Sequence, residues 1–374
     1  MTTITAAHAA AFRLSRQHLD AGRRARATLV DVCRQTGGIQ AQVMSAAELS
    51  LWTRRRATTR DDIRNALWQR RDLVKTSAMR MTLHVIPASD LALYVAALKQ
   101  NQSAILARIF ERLRVKPAEV DAVMTLMVDA LADGPKTQQE LVAVASAGAR
   151  PGILKWLNKA WSAVRPAVVE GQIVYGPPKG AEATFVRVDR WLAAQPDIDR
   201  ETARAELMRR FLAAFGPATP NDFARWTGIR IGEAKQAVEA LAGEVEKVSV
   251  DGAPGWALAR DLDEIAGSRL DARAVRLLPA FDTFLLAHAT KEHLVEPRFR
   301  PRVYRPQGWL SPVVLVGGRI AAVWFSKARG GGVDIDVQPF RRLDRATRDA
   351  VAAEAGEIGE FLQVRCAVRF TRYN

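Results

Sequence analysis

Two glutamines separated by one residue are the side chains of this sequence whose spacing suggests chemistry. Gln40 and Gln42 follow Gly37 and Gly38. Each amide offers one acceptor oxygen and two N–H donors, so a pair of them can hold a water molecule without removing its proton. Residues i and i+2 of an extended segment project to the same side. The spacing therefore predicts a water-binding pair. The alternative is two amides that cap helix ends or face solvent.

The segments on both sides of this pair have the periodicity of helices. Leu29, Val32 and Cys33 recur at helical spacing before the glycines, and a second apolar pattern begins near Ala46 and includes Trp52. Glycines commonly end helices. We therefore expect Gln40 and Gln42 to lie on a turn that connects two helices.

Composition limits the class of protein. The chain has 374 residues, 48% of them apolar, which allows two or three domains with substantial cores. No apolar run is long enough for a membrane span, and no basic stretch precedes the Ala-rich start, so we expect a cytoplasmic protein. Two cysteines at opposite ends and five histidines give neither a disulfide framework nor zinc-ligand spacing. We expect no metal and no cofactor.

Charge points to an acidic polymer as partner. The formal net charge is +15 and the pI is near 10.4. Residues 1–114 contain 19 Lys and Arg against 8 Asp and Glu, which places +11 beside the glutamine pair. Separate clusters lie at residues 23–26, 54–56 and 70–71. We predict that Arg54, Arg55 and Arg56 contact the phosphates of DNA, the alternative being a solvated basic face.

The order of elements repeats three times. Helical patterns near residues 9–21, 28–36, 44–54 and 59–70 precede an alternating stretch at 73–86 that is typical of a hairpin. A second set of helices precedes strands predicted at 167–175 and 183–188, and a third set precedes a hairpin at 245–258. Helices followed by a hairpin are the order of a winged helix-turn-helix. The sequence therefore predicts three tandem winged-helix modules.

A repeated string supports the second and third copies. Gly134-Pro135-Lys136-Thr137 and Gly216-Pro217-Ala218-Thr219 lie 82 residues apart, and each is followed by an acidic residue three positions after the threonine. Such a threonine and acid form a capping box at the start of a helix. The first copy lacks this string, so its equivalence depends on element order alone.

The last hundred residues are rich in short strand-like runs. Candidate strands include residues 275–278, 284–286, 311–316, 319–325 and 333–339, with a helix near 344–362 and a final strand at 363–370. This pattern predicts a small β-barrel. Within it, Arg298, Arg300, Arg302 and Arg305 alternate with aromatic residues and prolines. We predict that they bind DNA, with a basic surface loop as the alternative.

The sequence thus predicts an α+β protein with four parts. Winged helix 1, with the glutamine pair, spans residues 1–115, winged helix 2 spans 116–198, winged helix 3 spans 199–270, and the β-barrel spans 271–374. Most winged helices regulate transcription and catalyse no reaction, so a DNA-binding protein without catalytic activity is the alternative to an enzyme.

Several strings resemble the AlkZ-like family of winged-helix DNA glycosylases, and the resemblance covers essentially the whole chain. The strings are Gly37-Gly38-Ile39-Gln40-Ala41-Gln42, residues 46–54, Arg80-Met81-Thr82-Leu83-His84, Leu277-Leu278-Pro279-Ala280-Phe281-Asp282 and Val323-Trp324. Members of this family have a Q-x-Q or Q-x-D motif in the first winged helix. Gln40 and Gln42 match that motif and place this chain in the Q-x-Q branch.

The resemblance implies an activity. Members are monofunctional glycosylases that excise N7-alkylated purines and unhook interstrand crosslinks, and Gln40 and Gln42 would be the catalytic residues. The partner would be double-stranded DNA with alkylated bases, bound by a monomer near the nucleoid. An N7-alkylated purine is already cationic and leaves without a general acid, so two neutral amides suffice to orient water. Asp61, Asp62 or Asp282 remains open as an assisting base, with helix caps or core ion pairs as the alternatives.

Overall fold

The computed structural model describes residues 2–20, 27–159 and 163–371 of this chain. The basic cluster at residues 23–26 lies outside the described residues. The mixed α+β class is confirmed. None of the described helices is long and apolar enough to cross a lipid bilayer.

The first segment contains the glutamine pair on a short strand between two helices. Its elements are β1 (Thr2–Ile4), α1 (Ala6–Arg16), α2 (Leu29–Gln35), β2 (Ile39–Gln40), α3 (Met44–Arg54), α4 (Arg60–Arg64), β3 (Leu73–Ser77), β4 (Leu83–Pro87) and α5 (Leu91–Arg112). Capping boxes at Thr28 and Thr59 begin α2 and α4, because each threonine accepts from the backbone of an aspartate three residues later. A π-helical turn, Asn65–Gln69, extends α4.

The second segment differs from the prediction at its strands. Its elements are α6 (Pro117–Ala130), β5 (Lys136–Thr137), α7 (Gln138–Ser146), α8 (Pro151–Leu157), α9 (Arg165–Val169), β6 (Ile173–Lys179), β7 (Glu182–Arg187) and α10 (Val188–Trp191). The predicted start of a strand at Ala167 was wrong, because the strand begins only at Ile173. Ala167 belongs to α9, where Pro166 near the helix start favours a helical turn.

Hairpins of the first two segments join in one sheet. Its strand order is β2-β4-β3-β6-β7-β5, and β3 meets β6 where Lys75 pairs with Tyr175. Strand β2, which carries Gln40, forms one edge of the sheet.

The third segment holds the chain's first strand. Its elements are α11 (Arg200–Phe215), α12 (Pro220–Thr227), α13 (Ile231–Glu239), β8 (Val245–Val250), β9 (Ala253–Leu258) and α14 (Leu262–Gly267). The predicted capping box at Thr219 and the predicted hairpin at residues 245–258 are both confirmed, and the hairpin turns at Asp251 and Gly252. Strand β1 pairs in parallel with β8, so residues 2–4 form a three-stranded sheet with β8 and β9.

The C-terminal segment is a curled half-barrel. Its elements are β10 (Val275–Leu278), α15 (Arg300–Val303), β11 (Val313–Val316), β12 (Arg319–Arg329), β13 (Gly332–Pro339), α16 (Arg345–Leu362) and β14 (Arg365–Phe370). Within the described residues the edge strands β10 and β14 do not pair with each other, so the predicted small β-barrel is present only as a half-barrel. The strand predicted at residues 284–286 was also wrong, because Thr283–Leu285 forms a 3-10 turn capped by Asp282.

Two large apolar cores place the glutamine pair between segments. One combines α2 and α3 with the C-terminal sheet and α16, and includes Trp52, Trp324 and Phe361. The other combines α5 with α11 and α12, and includes Phe211 and Trp226. The chain around Gln40 therefore contacts both the third segment and the C-terminal sheet. The number of winged-helix modules stays a prediction.

Candidate active site

Two glycines direct the chain from α2 into β2. Gly37 and Gly38 have φ angles of 73° and 89°, a left-handed conformation that L side chains rarely adopt. The amide of Gly38 donates to the carbonyl of Cys33 over 2.7 Å, which closes the end of the helix. A Cβ at Gly37 would lie 2.8 Å from the ring of Trp226. Both glycines are thus required by the turn, and Gly37 also by the contact with the third segment.

Gln40 is buried and held by an arginine. Its exposed fraction is 6%, and it pairs across the sheet with His84. The Oε1 atom of Gln40 accepts from Nη2 of Arg80 over 3.0 Å. Among the described residues no acceptor bonds to its Nε2 group. One lone pair of the amide oxygen and the amide N–H groups therefore remain available to a substrate or a water molecule.

Gln42 is exposed and lies beside the same strand. Its Oε1 atom accepts from the backbone N–H of Leu83 over 3.4 Å, and the neighbouring amide of Ala41 donates to the carbonyl of Leu83. The side chain of Gln42 and the backbone of Ala41 thus both hydrogen bond to Leu83, at the start of β4. The prediction of a simple helix-to-helix turn was incomplete, because residues 39–40 form a strand.

His84 is neutral beside the pair. It is 1% exposed, and its Nδ1 lies 2.9 Å from the carbonyl of Thr82, which makes Nδ1 the protonated nitrogen. Burial, with the charge of Arg80, lowers the pKa of His84 to about 3. An imidazole with so low a pKa does not carry a proton to a leaving group at neutral pH.

The three candidate carboxylates have other partners. Asp62 caps α4 through Thr59, and this hydrogen bonding lowers its pKa. Asp282 is 1% exposed and forms two hydrogen bonds of 2.8 Å with Arg54. Asp61 is exposed and lies 3.6 Å from Arg64. Within the described residues no carboxylate hydrogen bonds to Gln40 or Gln42, so these carboxylates act as a cap and as ion-pair partners.

The first predicted phosphate cluster has structural partners. Arg54 is fully buried against Asp282, so the prediction that it contacts DNA was wrong. Arg55 donates to the carbonyl of Ala27 and the hydroxyl of Thr58. Arg56 pairs with Glu354 and Glu357 on α16. A run of three arginines in the sequence did not reveal that α3 packs against the C-terminal segment, where Arg54 and Arg56 find acceptors, or that Arg55 bonds within the first segment.

The second predicted cluster is more exposed. Residues 297–303 form a 3-10 turn followed by α15 rather than an irregular loop. Arg300 and Arg305 are exposed, and neither has an ion pair with another described residue. Arg298 pairs with Glu296 over 3.2 Å, and Arg302 donates to Gln338 over 3.3 Å. Two of the four predicted DNA contacts therefore have freely available guanidinium groups.

A buried lysine connects this cluster with the glutamine pair. Lys291 is 7% exposed, and its amine donates to the carbonyls of Leu285 and His288. Burial lowers the pKa of Lys291 to about 8, and the charges of Arg80 and Arg300 contribute. The ring centroid of Tyr304, within the exposed cluster, lies 5.3 Å from the same amine, and the backbone of Ala289 donates to Asp222 on α12, the helix whose end contacts Arg80. The exposed cluster and the glutamine pair thus belong to one region of the molecule.

Comparisons with known proteins decide the family. The family model described as DNA glycosylase AlkZ-like matches residues 33–361. An interstrand DNA cross-link repair glycosylase from Streptomyces sahachiroi is 31% identical over 360 residues, which cover 93% of this chain and 94% of that protein. The chain belongs to the AlkZ-like family. The structure of the Streptomyces sahachiroi DNA glycosylase AlkZ matches with a TM-score of 0.85 and 27% identity, covering 99% of this chain and 100% of that chain.

Membership confirms the resemblance drawn from the sequence, and this AlkZ-like protein is a DNA glycosylase that binds DNA. The sequence did not reveal Arg80 as the partner of Gln40. Arg80 lies 40 residues away in a turn, and its only signal was its place in the string Arg80-Met81-Thr82-Leu83-His84.

Proposed function

We propose that this chain is a monofunctional DNA glycosylase that hydrolyses the N-glycosidic bond of cationic N7-alkylated purines. The observation that carries the proposal is the pair of carboxamides, Gln40 and Gln42, with no carboxylate hydrogen-bonded to either within the described residues. Neutral amides suit a reaction that needs water to be oriented but needs no acid. A neutral purine would require protonation before departure.

The proposed reaction uses the charge already on the base. As the bond between C1′ and N9 breaks, its electrons neutralise the charge that alkylation at N7 placed on the purine, so the purine leaves as a neutral base and positive charge develops on the sugar. The free lone pair of each carboxamide oxygen accepts a hydrogen bond from one water, and the oxygen dipoles stabilise the sugar cation. The water oxygen then bonds to C1′ and releases its proton to solvent.

Water rather than an amine is the proposed nucleophile. No described lysine hydrogen bonds to Gln40 or Gln42, and the buried amine of Lys291 donates to two backbone carbonyls instead. A lysine nucleophile would form a Schiff base and cut the strand. Hydrolysis by water leaves an abasic site with an intact backbone, which is the meaning of a monofunctional glycosylase.

Interstrand crosslinks are a second proposed substrate class. The name of the Streptomyces sahachiroi relative records crosslink repair for that protein. Gln42 is exposed, and the pair lies at the edge strand of its sheet, which supports access by a bulky lesion. We propose that the chain acts as a monomer on double-stranded DNA.

We propose further that tandem winged helices spanning 1–115, 116–198 and 199–270, with the half-barrel of residues 271–374, line a basic channel. Arg298, Arg300, Arg302 and Arg305 would bind phosphates there. The exposure of Arg300 and Arg305, and the contact of Tyr304 between them with Lys291, support this part of the proposal. Arg55 and Arg56 would contribute only weakly because they have protein partners.

Base release from duplex DNA containing N7-methylguanine tests the catalytic proposal. Gln40→Ala and Gln42→Ala should each slow single-turnover excision by roughly a hundredfold or more, the usual scale for lost transition-state electrostatics. Duplex affinity should change by less than about threefold, because neither amide is expected to bind phosphates.

Arg345→Ser, a change of an exposed residue on α16, is the control and should excise at the wild-type rate. Both glutamine variants excising at that same rate would exclude the pair from the mechanism. Strand cleavage or trapping of the wild-type protein by borohydride would contradict a monofunctional hydrolase.

A further inference from the structure

The turn between β3 and β4 has an unusual backbone. Arg80 and Met81 are consecutive non-glycine residues with φ angles of 56° and 58°, in the left-handed region. Such residues cost free energy and persist only when surrounding contacts determine the conformation. The turn is therefore held by contacts strong enough to offset this cost.

Contacts from three helices, one in each of the first three segments, hold the turn. Gln102 on α5 donates from Nε2 to the carbonyl of Ala78 over 2.7 Å, and Arg165 on α9 donates from Nη1 to the carbonyl of Met81 over 2.6 Å. Nη1 of Arg80 donates to the carbonyl of Trp226, at the end of α12. Helices from three parts of the chain thus determine the position of the turn, residues 78–82.

The end of α12 lies directly against Arg80. A Cβ at Gly228 would lie 3.3 Å from the Cα of Arg80, so the absence of a side chain there permits the close approach. The ring of Trp226 also lies against Gly37, before β2. One helix end therefore contacts both stretches of backbone that position Gln40.

We propose that Arg80 is a positioning residue that fixes the carboxamide of Gln40 for excision, an inference that depends on the proposed function. Nη2 of Arg80 holds the amide oxygen over 3.0 Å while Nη1 is anchored on Trp226. Because the oxygen is fixed, rotation of the amide is prevented and its free lone pair has one direction. Arg80 need not touch the DNA to act in this way.

Arg80 remains a cation under the conditions of excision. Burial lowers its pKa to about 10, which is still well above neutral pH. A charged donor forms a stronger and more directional hydrogen bond than a neutral one. The amide of Gln40 is therefore polarised as well as oriented.

The test is single-turnover excision of N7-methylguanine by Arg80→Met, Gln40→Ala and the double variant. Arg80→Met should slow excision tenfold to a hundredfold, the scale of a small misplacement of a catalytic group. The enzyme concentration that gives half-maximal rate should stay within about threefold. The double variant should be less than about threefold slower than Gln40→Ala, because the two residues act as a unit.

Arg165→Met is the matched control. This substitution removes a guanidinium that donates to the same turn, but it removes no hydrogen bond to Gln40. It should lower the melting temperature to a similar extent but slow excision less than about threefold. If Arg80→Met does not fold, Arg80→Lys replaces it. A lysine keeps the charge but cannot hold both acceptors in the same planar geometry, and we expect at least a tenfold loss.

The outcomes separate the two proposals. If Gln40→Ala excises at the wild-type rate, the proposed function fails whatever Arg80 does. If Gln40→Ala is slow and the folded Arg80 variant is fast, only the positioning role fails. Additive losses in the double variant, or an equal loss in Arg165→Met, would reduce Arg80 to a general support of the turn and overturn the inference.

Discussion

The side-chain amides of Gln40 and Gln42, the proposed catalytic pair, lie in different surroundings, so we expect them to differ in their tolerance to substitution. Gln40 is buried beside the guanidinium of Arg80, and Gln42 is exposed with one long hydrogen bond to Leu83. A charged replacement at position 40 would pair with Arg80, whereas one at position 42 remains free to contact water. The sequence pattern could select both residues but could not distinguish these roles.

For Gln42→Asp we expect excision of N7-methylguanine within about tenfold of the wild-type rate. A carboxylate accepts hydrogen bonds from water and polarises it more strongly than an amide does. The range of lesions should change more than the rate on this small cationic one. Excision rates on several lesions, with melting temperature as a check on folding, measure this. An inactive but folded variant would contradict it.

Lys291 should make stability depend on alkaline pH. Its pKa is about 8 in the folded protein and near 10.5 when unfolded, so between these values the unfolded state binds more protons. The contribution of Lys291 to the free energy of unfolding therefore rises with pH through this window. This contribution is lowest below pH 8. Denaturant unfolding measures this. The free energy of unfolding of the wild type minus that of Lys291→Met should increase between pH 7 and 10. A constant difference would show that the pKa is not lowered.

At the scale of elements, local signals succeeded where the deciding contact is within a few residues. The threonine caps at Thr59, Thr137 and Thr219 need only an acid three positions later, and each begins a helix as predicted. The strand predicted to begin at Ala167 was wrong because Ala167 and its β-branched neighbours belong to the helical turn α9. The pairing of Lys75 with Tyr175 depends on residues a hundred positions apart, which no local pattern specifies.

The Arg54–Asp282 ion pair attaches α3 to the C-terminal segment, and breaking it should be costly. Both side chains are fully buried. Arg54→Met should therefore lower the free energy of unfolding by about 3–5 kcal/mol, because it leaves an unpaired buried carboxylate. The double variant Arg54→Met, Asp282→Leu should recover much of this loss. Denaturant midpoints measure both.

Arg56→Met is the control for this pair. Arg56 is half exposed, so its ion pairs with Glu354 and Glu357 should contribute about 0–1 kcal/mol. A loss in Arg54→Met no larger than in Arg56→Met would mean that Asp282 does not depend on its arginine partner.

At the scale of the whole molecule, the net charge of +15 predicts salt-sensitive binding, and the structure indicates which residues to change. Arg300→Ser and Arg305→Ser should each flatten the slope of log affinity against log salt by about 0.9, the value for one phosphate contact. Affinities for damaged and undamaged duplexes should fall together, because phosphate contacts carry no sequence information.

Arg345→Ser removes the same charge from α16, and its slope should stay unchanged. Equal effects in all three variants would indicate that net charge alone, rather than a defined surface, controls binding. Unchanged slopes in Arg300→Ser and Arg305→Ser would remove this cluster from the DNA-binding surface.

The pairing of β1 with β8 has a consequence for synthesis on the ribosome. Residues 2–4 are made first, but their partners at 248–250 are made only after most of the chain has been synthesised. At roughly 5–20 residues per second the first strand waits on the order of ten seconds or more for its neighbour. Gln40 and Arg80 likewise wait for Trp226. A nascent chain that stops before α12 would carry both glutamines without their support, so a truncated message should yield no partly active enzyme.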